Sequence, residues 1–348
     1  MIQNPFAINF GIMPVQYISR EIIIDEIVDG FQSEDIQNPC VMLTGNRGTG
    51  KTVTMTAIEK RISQSPDWIV IRLNPTRDML LGLVGKLYDS KDYLTKFIDG
   101  QVNLSGFGIG VNLSAKAPVA DIESALEIIL KEIKRQNKRL LVSIDEVSNT
   151  EYMREFASSF QLLLREELPI CLIMAGLYEN VHNLENVENL TFLYRTPKYE
   201  MEPLNLTLIS NRYAQVFEID QESAWNMAVL TKGYPFAYQA LGKYVWEKGE
   251  KKVTQEVLDK YDESLSHYVY KKIWSELSEK DKWYMTFIIQ KEKMPTSELL
   301  EMTGQKKNEF SQYRARLTEK GLIDSSNWGM VAFTLPRFDV FVSREQRM

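Results

Sequence analysis

The sequence has few residues suited to metal or redox chemistry. Among its 348 residues are two cysteines, Cys40 and Cys171, and two histidines, His182 and His267. Both cysteines lie inside apolar runs, and neither histidine has a cysteine or carboxylate at ligand spacing. We therefore expect no zinc site and no disulfide framework.

Membrane-spanning and strongly basic patterns are also missing. No run approaches the roughly 18 apolar residues that cross a bilayer, and the opening MIQNPFAINFGIMP lacks the basic and apolar regions of a secretory signal. These absences predict no membrane association and a cytoplasmic location. Because the formal net charge is -6, any contact with nucleic acid needs a local basic surface.

Short apolar runs alternate with helix-length stretches in the first half of the chain. Such runs are apolar on both faces, which is typical of parallel strands covered by helices on both sides. The runs cover residues 40–43, 68–73, 140–144 and 170–174, with helices expected over 53–62 and 122–133. The pattern predicts an α/β fold with a parallel sheet, and a fifth strand is expected after Arg195.

Residues 102–115, VNLSGFGIGVNLSA, contain VNLS twice around a glycine-rich centre. Alternating apolar residues on either side of such a centre predict an inserted β-hairpin. The hairpin either caps the edge of the domain or contacts a substrate or partner.

The second half of the chain changes pattern after Pro203. Apolar stripes predict a helical lid over 204–268, and residues 269–348 show three helical segments, at 283–289, 297–302 and 307–320, followed by two strands. Gly321 is expected to end the third helix, and the strands at 322–324 and 330–335 with the turn 325–329 complete a winged-helix pattern. We predict three domains: 1–203, 204–268 and 269–348.

The segment GNRGTGKT matches the phosphate-binding pattern G-x-x-x-x-G-K-[ST]. A buried strand precedes it and a helix follows, so backbone N–H groups and the positive helix end would face the phosphates. Lys51 would reach the β- and γ-phosphates of ATP, and the Thr52 hydroxyl would coordinate Mg²⁺. The predicted nucleotide-binding residues are Gly45, Asn46, Arg47, Gly48, Thr49, Gly50, Lys51, Thr52 and Val53.

The apolar run RLLVSIDEV ends in two carboxylates, Asp145 and Glu146. A carboxylate at the end of a strand beside the phosphate loop can hold Mg²⁺, which is the role predicted for Asp145. Glu146 is placed to orient the attacking water. A further cation near the γ-phosphate would stabilise the transition state, and Arg195 is the candidate.

Together these segments resemble the AAA+ ATPases of the origin-recognition-like and archaeal-ATPase group, which border on the STAND signalling ATPases. The opening NPF and the Ser19-Arg20-Glu21 segment are similar to the family's start, although Ser19 replaces the usual glycine. The resemblance implies that Arg20 lies against the adenine and that Gly233 and Pro235, in KGYPF, form the lid motif that closes over it. It also implies an arginine such as Arg195 acting on a neighbouring subunit, hence a homo-oligomer.

One departure from the family concerns the fourth strand, which is followed by Ala175 and Gly176 where many AAA+ enzymes carry a polar sensor residue. We therefore expect slow hydrolysis.

The third helix of the winged-helix pattern would place Phe310, Tyr313 and Leu317 in the core. Residues 271–348 carry 14 basic and 11 acidic residues, a net of +3. This excess is compatible with binding to double-stranded DNA, but winged helices also dock proteins. The outer stripe predicted to face DNA consists of Lys307, Ser311, Arg314 and Thr318.

Three functions follow from these patterns. The first is an ATPase whose nucleotide state controls DNA engagement or assembly through the winged helix. The second is a STAND-like switch that hydrolyses ATP rarely and recruits a protein partner, and the third is a nucleotide-binding module without turnover.

Overall fold

The computed structural model describes residues 3–9, 13–102, 104–109, 121–324 and 329–347. The chain divides into two compact units. The sheet unit contains residues 20–44 and 51–200, and the C-terminal unit contains residues 1–19, 45–50 and 201–348.

The sheet unit contains a five-stranded parallel sheet in the order β2-β3-β4-β1-β5. Its strands are β1 (Cys40–Thr44), β2 (Trp68–Leu73), β3 (Arg139–Ile144), β4 (Ile170–Gly176) and β5 (Lys198–Glu200). Its helices are α1 (Glu21–Gln32), α2 (Lys51–Ile62), α3 (Met79–Ser90), α4 (Asp92–Gln101), α5 (Ile122–Arg135), α6 (Glu151–Arg165) and α7 (Tyr178–Glu185).

Burial of the strands explains why their sequences are continuously apolar. Every residue of β1 and β4 is buried, so both faces of the sheet are covered at its centre. The predicted α/β class, the four strands and the fifth strand after Arg195 are confirmed. The strand order brings the carboxyl ends of β3, β4 and β1 side by side.

Both cysteines lie in this sheet, Cys40 in β1 and Cys171 in β4. Burial raises the pKa of each thiol to about 12, so both stay protonated at neutral pH. They act as small apolar core residues, as the sequence predicts.

The C-terminal unit is mainly helical and contains a small antiparallel sheet in the order β6-β8-β7. Its helices are α8 (Leu206–Phe217), α9 (Gln221–Leu230), α10 (Pro235–Lys248), α11 (Gln255–Leu265), α12 (Lys271–Ser275), α13 (Glu279–Ile288), α14 (Thr296–Thr303), α15 (Lys307–Glu319) and α16 (Phe338–Glu345). Its strands are β6 (Met294–Pro295), β7 (Ile323–Asp324) and β8 (Met330–Phe333). We call α8–α11 the lid segment.

Helix α15 ends as its sequence predicts. Gly321 has φ +62, its N–H donates to the Thr318 carbonyl, and the Leu322 N–H donates to the Leu317 carbonyl. Leu317 and Leu322 are both buried, which is the hydrophobic contact that accompanies this helix end.

Two predicted features lie partly outside the described residues. Within the predicted hairpin 102–115, the described residues Ser105–Phe107 form a single 3₁₀ turn, while residues 103 and 110–120 are outside the description. Of the predicted turn 325–329, residues 325–328 also lie outside the described residues. The three-domain division also stays a prediction, since one hydrophobic cluster of the C-terminal unit includes both lid residues and residues after 269.

In the part of the chain that the structure describes, no helix is both long enough and apolar enough to cross a membrane.

Candidate nucleotide-binding site

Residues 45–50, which we call the phosphate loop, form a tight loop between β1 and α2. Gly48 and Gly50 have φ +75 and +91, a left-handed region that favours glycine. The Thr49 hydroxyl donates to the Asn46 carbonyl at 2.8 Å and closes the loop. Helix α2 begins at Lys51, so its N-terminal N–H groups and positive dipole end come directly after the loop.

Thr52 and Asp145 meet at the carboxyl edge of the parallel sheet. The Thr52 hydroxyl donates to Asp145 Oδ2 at 2.6 Å, across 93 residues of sequence. Thr52 lies in the first turn of α2, and Asp145 follows the last residue of β3. The structure therefore brings together the two residues predicted as Mg²⁺ ligands.

The donor chemistry of this pair fits Mg²⁺, which takes oxygen ligands from one or two carboxylates, hydroxyls, water and substrate phosphates. Among the described residues, no cluster of three or more histidine, cysteine or carboxylate side chains exists that could hold a metal alone. A metal at Thr52 and Asp145 would therefore complete its ligands with oxygens from water or phosphate.

Glu146 has an unusual backbone conformation. Its φ is +56, which is uncommon for a residue other than glycine and is frequent at functional sites. Its N–H donates to Asp145 Oδ1 at 2.9 Å, and the next N–H, of Val147, donates to the Ala175 carbonyl at 2.9 Å. Glu146 is exposed and directly follows Asp145 in the sequence.

The end of β4 has no room for a polar sensor side chain at Gly176. A Cβ atom there would lie 2.8 Å from Val147 Cγ2 and 3.0 Å from Val181 Cγ2. Ala175 is fully buried. The packing around Gly176 therefore agrees with the absence of a polar sensor residue noted in the sequence.

Arg195 lies outside the strands of the sheet, before β5. It ends the 3₁₀ segment Glu188–Arg195 and is exposed, three residues before β5 begins. Since Glu200 of β5 pairs with Thr44 at the carboxyl edge of the sheet, Arg195 lies toward the opposite, amino edge.

Arg20 is the N-terminal capping residue of α1 and is half-buried. Its neighbour Glu21 pairs with Arg61 Nη2 at 2.7 Å, and Asp25 pairs with the same guanidinium. These ion pairs connect α1 to the last turn of α2. Glu21 therefore joins two helices, and the adenine contact of Arg20 stays a prediction.

The predicted lid motif packs against the phosphate loop within the C-terminal unit. Gly233 has φ +74, and its carbonyl accepts the Leu204 N–H at 2.7 Å. Pro235 begins α10, 3.9 Å from where a Cβ atom on Gly50 would lie. The Phe236 N–H donates to the Gly48 carbonyl at 3.2 Å, so the first turn of α10 contacts the loop directly.

The side chains of Asn46 and Arg47 contact residues after the lid segment. Asn46 Nδ2 donates to the Gly321 carbonyl at 2.9 Å, and Arg47 pairs with Glu276 at 3.4 Å. The Gly321 carbonyl also accepts from the Thr334 hydroxyl at 2.6 Å. The side chains of both loop residues are therefore engaged with the C-terminal part of the same unit.

Helix α15 presents the polar stripe that its sequence predicts. Phe310 and Leu317 are buried, and Tyr313 is half-buried against the core. The remaining predicted residues, Lys307, Ser311 and Thr318, are exposed, and Arg314 is half-buried.

Sequence reasoning missed one contact of the phosphate loop and two contacts of helix α2. Tyr234 lies between Gly233 and Pro235, and its hydroxyl donates to the Arg47 carbonyl. The buried Glu59 of α2 pairs with Arg72 Nε at 2.7 Å and accepts from the Ser143 hydroxyl of β3. The only sequence signal was a hydroxyl-bearing aromatic residue inside the lid motif and a carboxylate on the apolar face of α2.

Comparisons with known proteins agree with this fold. The Aeropyrum pernix ORC2 protein in ADPNP-ADP complexes is 14% identical with a TM-score of 0.60, and 98% of each chain is covered. Its ADP form gives 14% identity and a TM-score of 0.50 over 97% of this chain and 96% of that one. Cdc6p from Pyrobaculum aerophilum gives 13% and 0.49, over 98% and 96%.

At these identities the likeness concerns the fold, which is the AAA+ ATPase fold of the archaeal ORC proteins. A family model described as a domain of unknown function (DUF8462) matches residues 267–342. A search of curated proteins found no match.

Proposed function

We propose that the chain binds ATP with Mg²⁺ at residues 45–52 and hydrolyses it slowly. The observation that carries this proposal is the 2.6 Å contact between Thr52 and Asp145 at the end of the phosphate loop. A chance glycine-rich turn would not place a hydroxyl and a carboxylate from distant segments together at a helix N-terminus. The nucleotides named for the archaeal ORC2 complexes give the proposal further support.

In this proposal, different residues at the loop contact different phosphates of ATP. Main-chain N–H groups between Gly45 and Lys51 cradle the β-phosphate, and the Lys51 ammonium reaches the β- and γ-phosphates. Thr52 and Asp145 hold Mg²⁺, which when bound neutralises charge on the β- and γ-phosphate oxygens. Arg20, Gly233 and Pro235 contribute the adenine side of the site.

Glu146 accepts a hydrogen bond from the attacking water and orients it toward the γ-phosphorus. Phosphoryl transfer depends mostly on positioning and charge stabilisation. Because Gly176 has no side chain, the water is oriented with one partner fewer than in AAA+ enzymes that carry a polar sensor. Slow turnover follows.

We further propose that the nucleotide state controls the engagement of double-stranded DNA through the winged-helix pattern of residues 269–348. Support comes from the contact of Asn46, in the phosphate loop, with Gly321 at the end of α15. Because Asn46 belongs to the loop proposed to bind the phosphates, this contact links the nucleotide site to the end of α15. The polar stripe of α15 that contains the exposed Lys307 and the half-buried Arg314 is the proposed DNA face.

The DNA proposal is tested by titrating salt against duplex binding, with and without ATP and Mg²⁺. We expect binding at low salt that depends on ATP, and we expect Lys307→Ala/Arg314→Ala to reduce the slope of log affinity against log salt by about one to two, since each phosphate contact contributes roughly one. Lys251→Ala/Lys252→Ala, which removes the same charge from the lid segment, should leave the slope unchanged. No duplex binding at low salt would eliminate the DNA proposal.

A second candidate is a STAND-like switch that binds ATP, rarely hydrolyses it and recruits a protein partner. The packing around Gly176 favours it, because a site without a polar sensor holds ATP for longer. ATP binding without DNA binding, together with negligible turnover, would favour this candidate.

A further inference from the structure

The phosphate loop contains three glycines with positive φ, at positions 45, 48 and 50. Glycine has more backbone freedom than any other residue, so ordering such a loop when a ligand binds loses much conformational entropy. A loop that is already held in its binding conformation binds with higher affinity. What holds residues 45–50 therefore influences nucleotide affinity.

Tyr234 contacts this loop at its centre. Its hydroxyl donates to the Arg47 carbonyl, and a Cβ atom on Gly48 would lie 2.6 Å from the Tyr234 oxygen. The hydroxyl therefore fits only because residue 48 is a glycine. The tyrosine is 5% exposed, so water competes little for this hydrogen bond.

The main chain of Tyr234 is itself fixed from both sides. Its N–H donates to the Thr231 carbonyl at 2.8 Å, and it caps the N-terminus of α10, directly before Pro235. Gly233 is wedged against the segment 203–204, where an added Cβ atom would overlap the Leu204 carbonyl. The hydroxyl is thus a rigid support for the loop and not a flexible contact.

We propose that Tyr234 is a positioning residue that holds the phosphate loop in its nucleotide-binding conformation. It acts through the Arg47 carbonyl and contacts no nucleotide itself. The inference rests on the proposed ATP binding at residues 45–52. The rival explanation is that the hydroxyl only stabilises the packing of the lid segment.

Two other buried tyrosines of the lid segment provide matched controls. The Tyr238 hydroxyl, one turn further along α10, has no hydrogen-bond partner among the residues that the structure describes. The Tyr261 hydroxyl donates to the Leu230 carbonyl at 3.1 Å, away from the loop. Tyr238→Phe therefore controls for the substitution, and Tyr261→Phe controls for the loss of a structural hydrogen bond.

The test compares Tyr234→Phe with wild type and both controls in the full chain, using a fluorescent ATP analogue with Mg²⁺ and steady-state hydrolysis. We expect Tyr234→Phe to weaken binding by about fivefold and to raise KM by a similar factor at nearly constant kcat, which is the effect of one net hydrogen bond made equally in ground and transition states. Tyr261→Phe should lower the melting temperature with unchanged affinity. Tyr238→Phe should change neither.

A second measurement does not need nucleotide. Amide hydrogen exchange of peptides that cover residues 45–51 should be faster in Tyr234→Phe than in wild type, and unchanged in both controls. If exchange in the loop is unchanged, or if it rises while ATP affinity stays the same, the positioning role is overturned. If wild type binds no ATP, the proposed function fails, while the exchange data still decide whether Tyr234 restrains the loop.

Discussion

Glu146 combines an exposed carboxylate with a left-handed backbone directly after β3. The Asp145 carboxylate holds its N–H, and the Ala175 carbonyl holds the next one, so the turn is fixed on both sides of the residue. Such strain persists where the surroundings impose it, and it aims the Glu146 side chain away from the core.

Glu146→Gln should lower kcat for ATP hydrolysis by about 100-fold or more, since an amide is a poor acceptor for the water proton. The dissociation constant for ATP should stay within about twofold, because the shape is preserved. Phosphate release from radiolabelled ATP and direct binding measure the two effects. Glu167→Gln is the control, because Glu167 is also exposed with φ +53 but lies two residues after the end of α6.

An equal loss of binding in Glu146→Gln would instead assign the residue a structural role. Unchanged turnover would remove it from the reaction.

The lid turn shows how one element's geometry depends on a single glycine. Gly233 and Gly249 both have φ +74. Gly233 lies two residues before helix α10, and Gly249 directly follows its last residue. Gly249 has open space around it, whereas Gly233 packs against Pro203 and Leu204. The pair therefore separates the effect of backbone conformation from the effect of packing.

Gly249→Ala should lower the free energy of unfolding by about 1 kcal/mol, from the left-handed conformation alone. Gly233→Ala should lower it by about 3 kcal/mol or more, because the added methyl group also overlaps the Leu204 carbonyl. Urea denaturation of the two variants gives the comparison. Equal losses would mean that the segment 203–204 moves aside freely.

The elements that the sequence predicts well are those with a local cause. β1 and β4 are continuously apolar because both faces of the central strands are buried, and Gly321 ends α15 because only a left-handed residue completes that helix end. The pairing of Thr52 with Asp145 was also predictable, since strand ends in a parallel sheet share one edge. The contacts of Tyr234 with Arg47 and of Asn46 with Gly321 were not, because they join segments 187 and 275 residues apart without any local pattern.

At the scale of the whole molecule, the position of Arg195 bears on assembly. It lies toward the amino edge of the sheet, while the phosphate loop follows the carboxyl end of β1. Action of Arg195 on a neighbouring subunit requires an exposed side chain, and Arg195 is exposed. We therefore propose that it completes the site of an adjacent copy.

Arg195→Ala should bind ATP normally and hydrolyse it at least about tenfold more slowly, since charge stabilisation acts in the transition state. Mixing it with Glu146→Gln should restore part of the activity, because a mixed assembly contains sites with both an intact Glu146 and a neighbour's Arg195. Wild-type turnover per subunit should fall on dilution. Full activity of Arg195→Ala would leave the arginine as a surface residue.

The most direct test of the account is the affinity of the purified chain for ATP in the presence of Mg²⁺, measured by calorimetry for wild type, Lys51→Ala and Lys60→Ala. Lys51 begins α2 at the phosphate loop, and Lys60 is an exposed lysine near the end of the same helix. Wild type and Lys60→Ala should bind ATP equally well. Lys51→Ala should lose more than about tenfold in affinity with an unchanged melting temperature, because the proposed role of its ammonium is to contact phosphate. Equal ATP affinity in folded Lys51→Ala, or no ATP binding by wild type, would contradict the account.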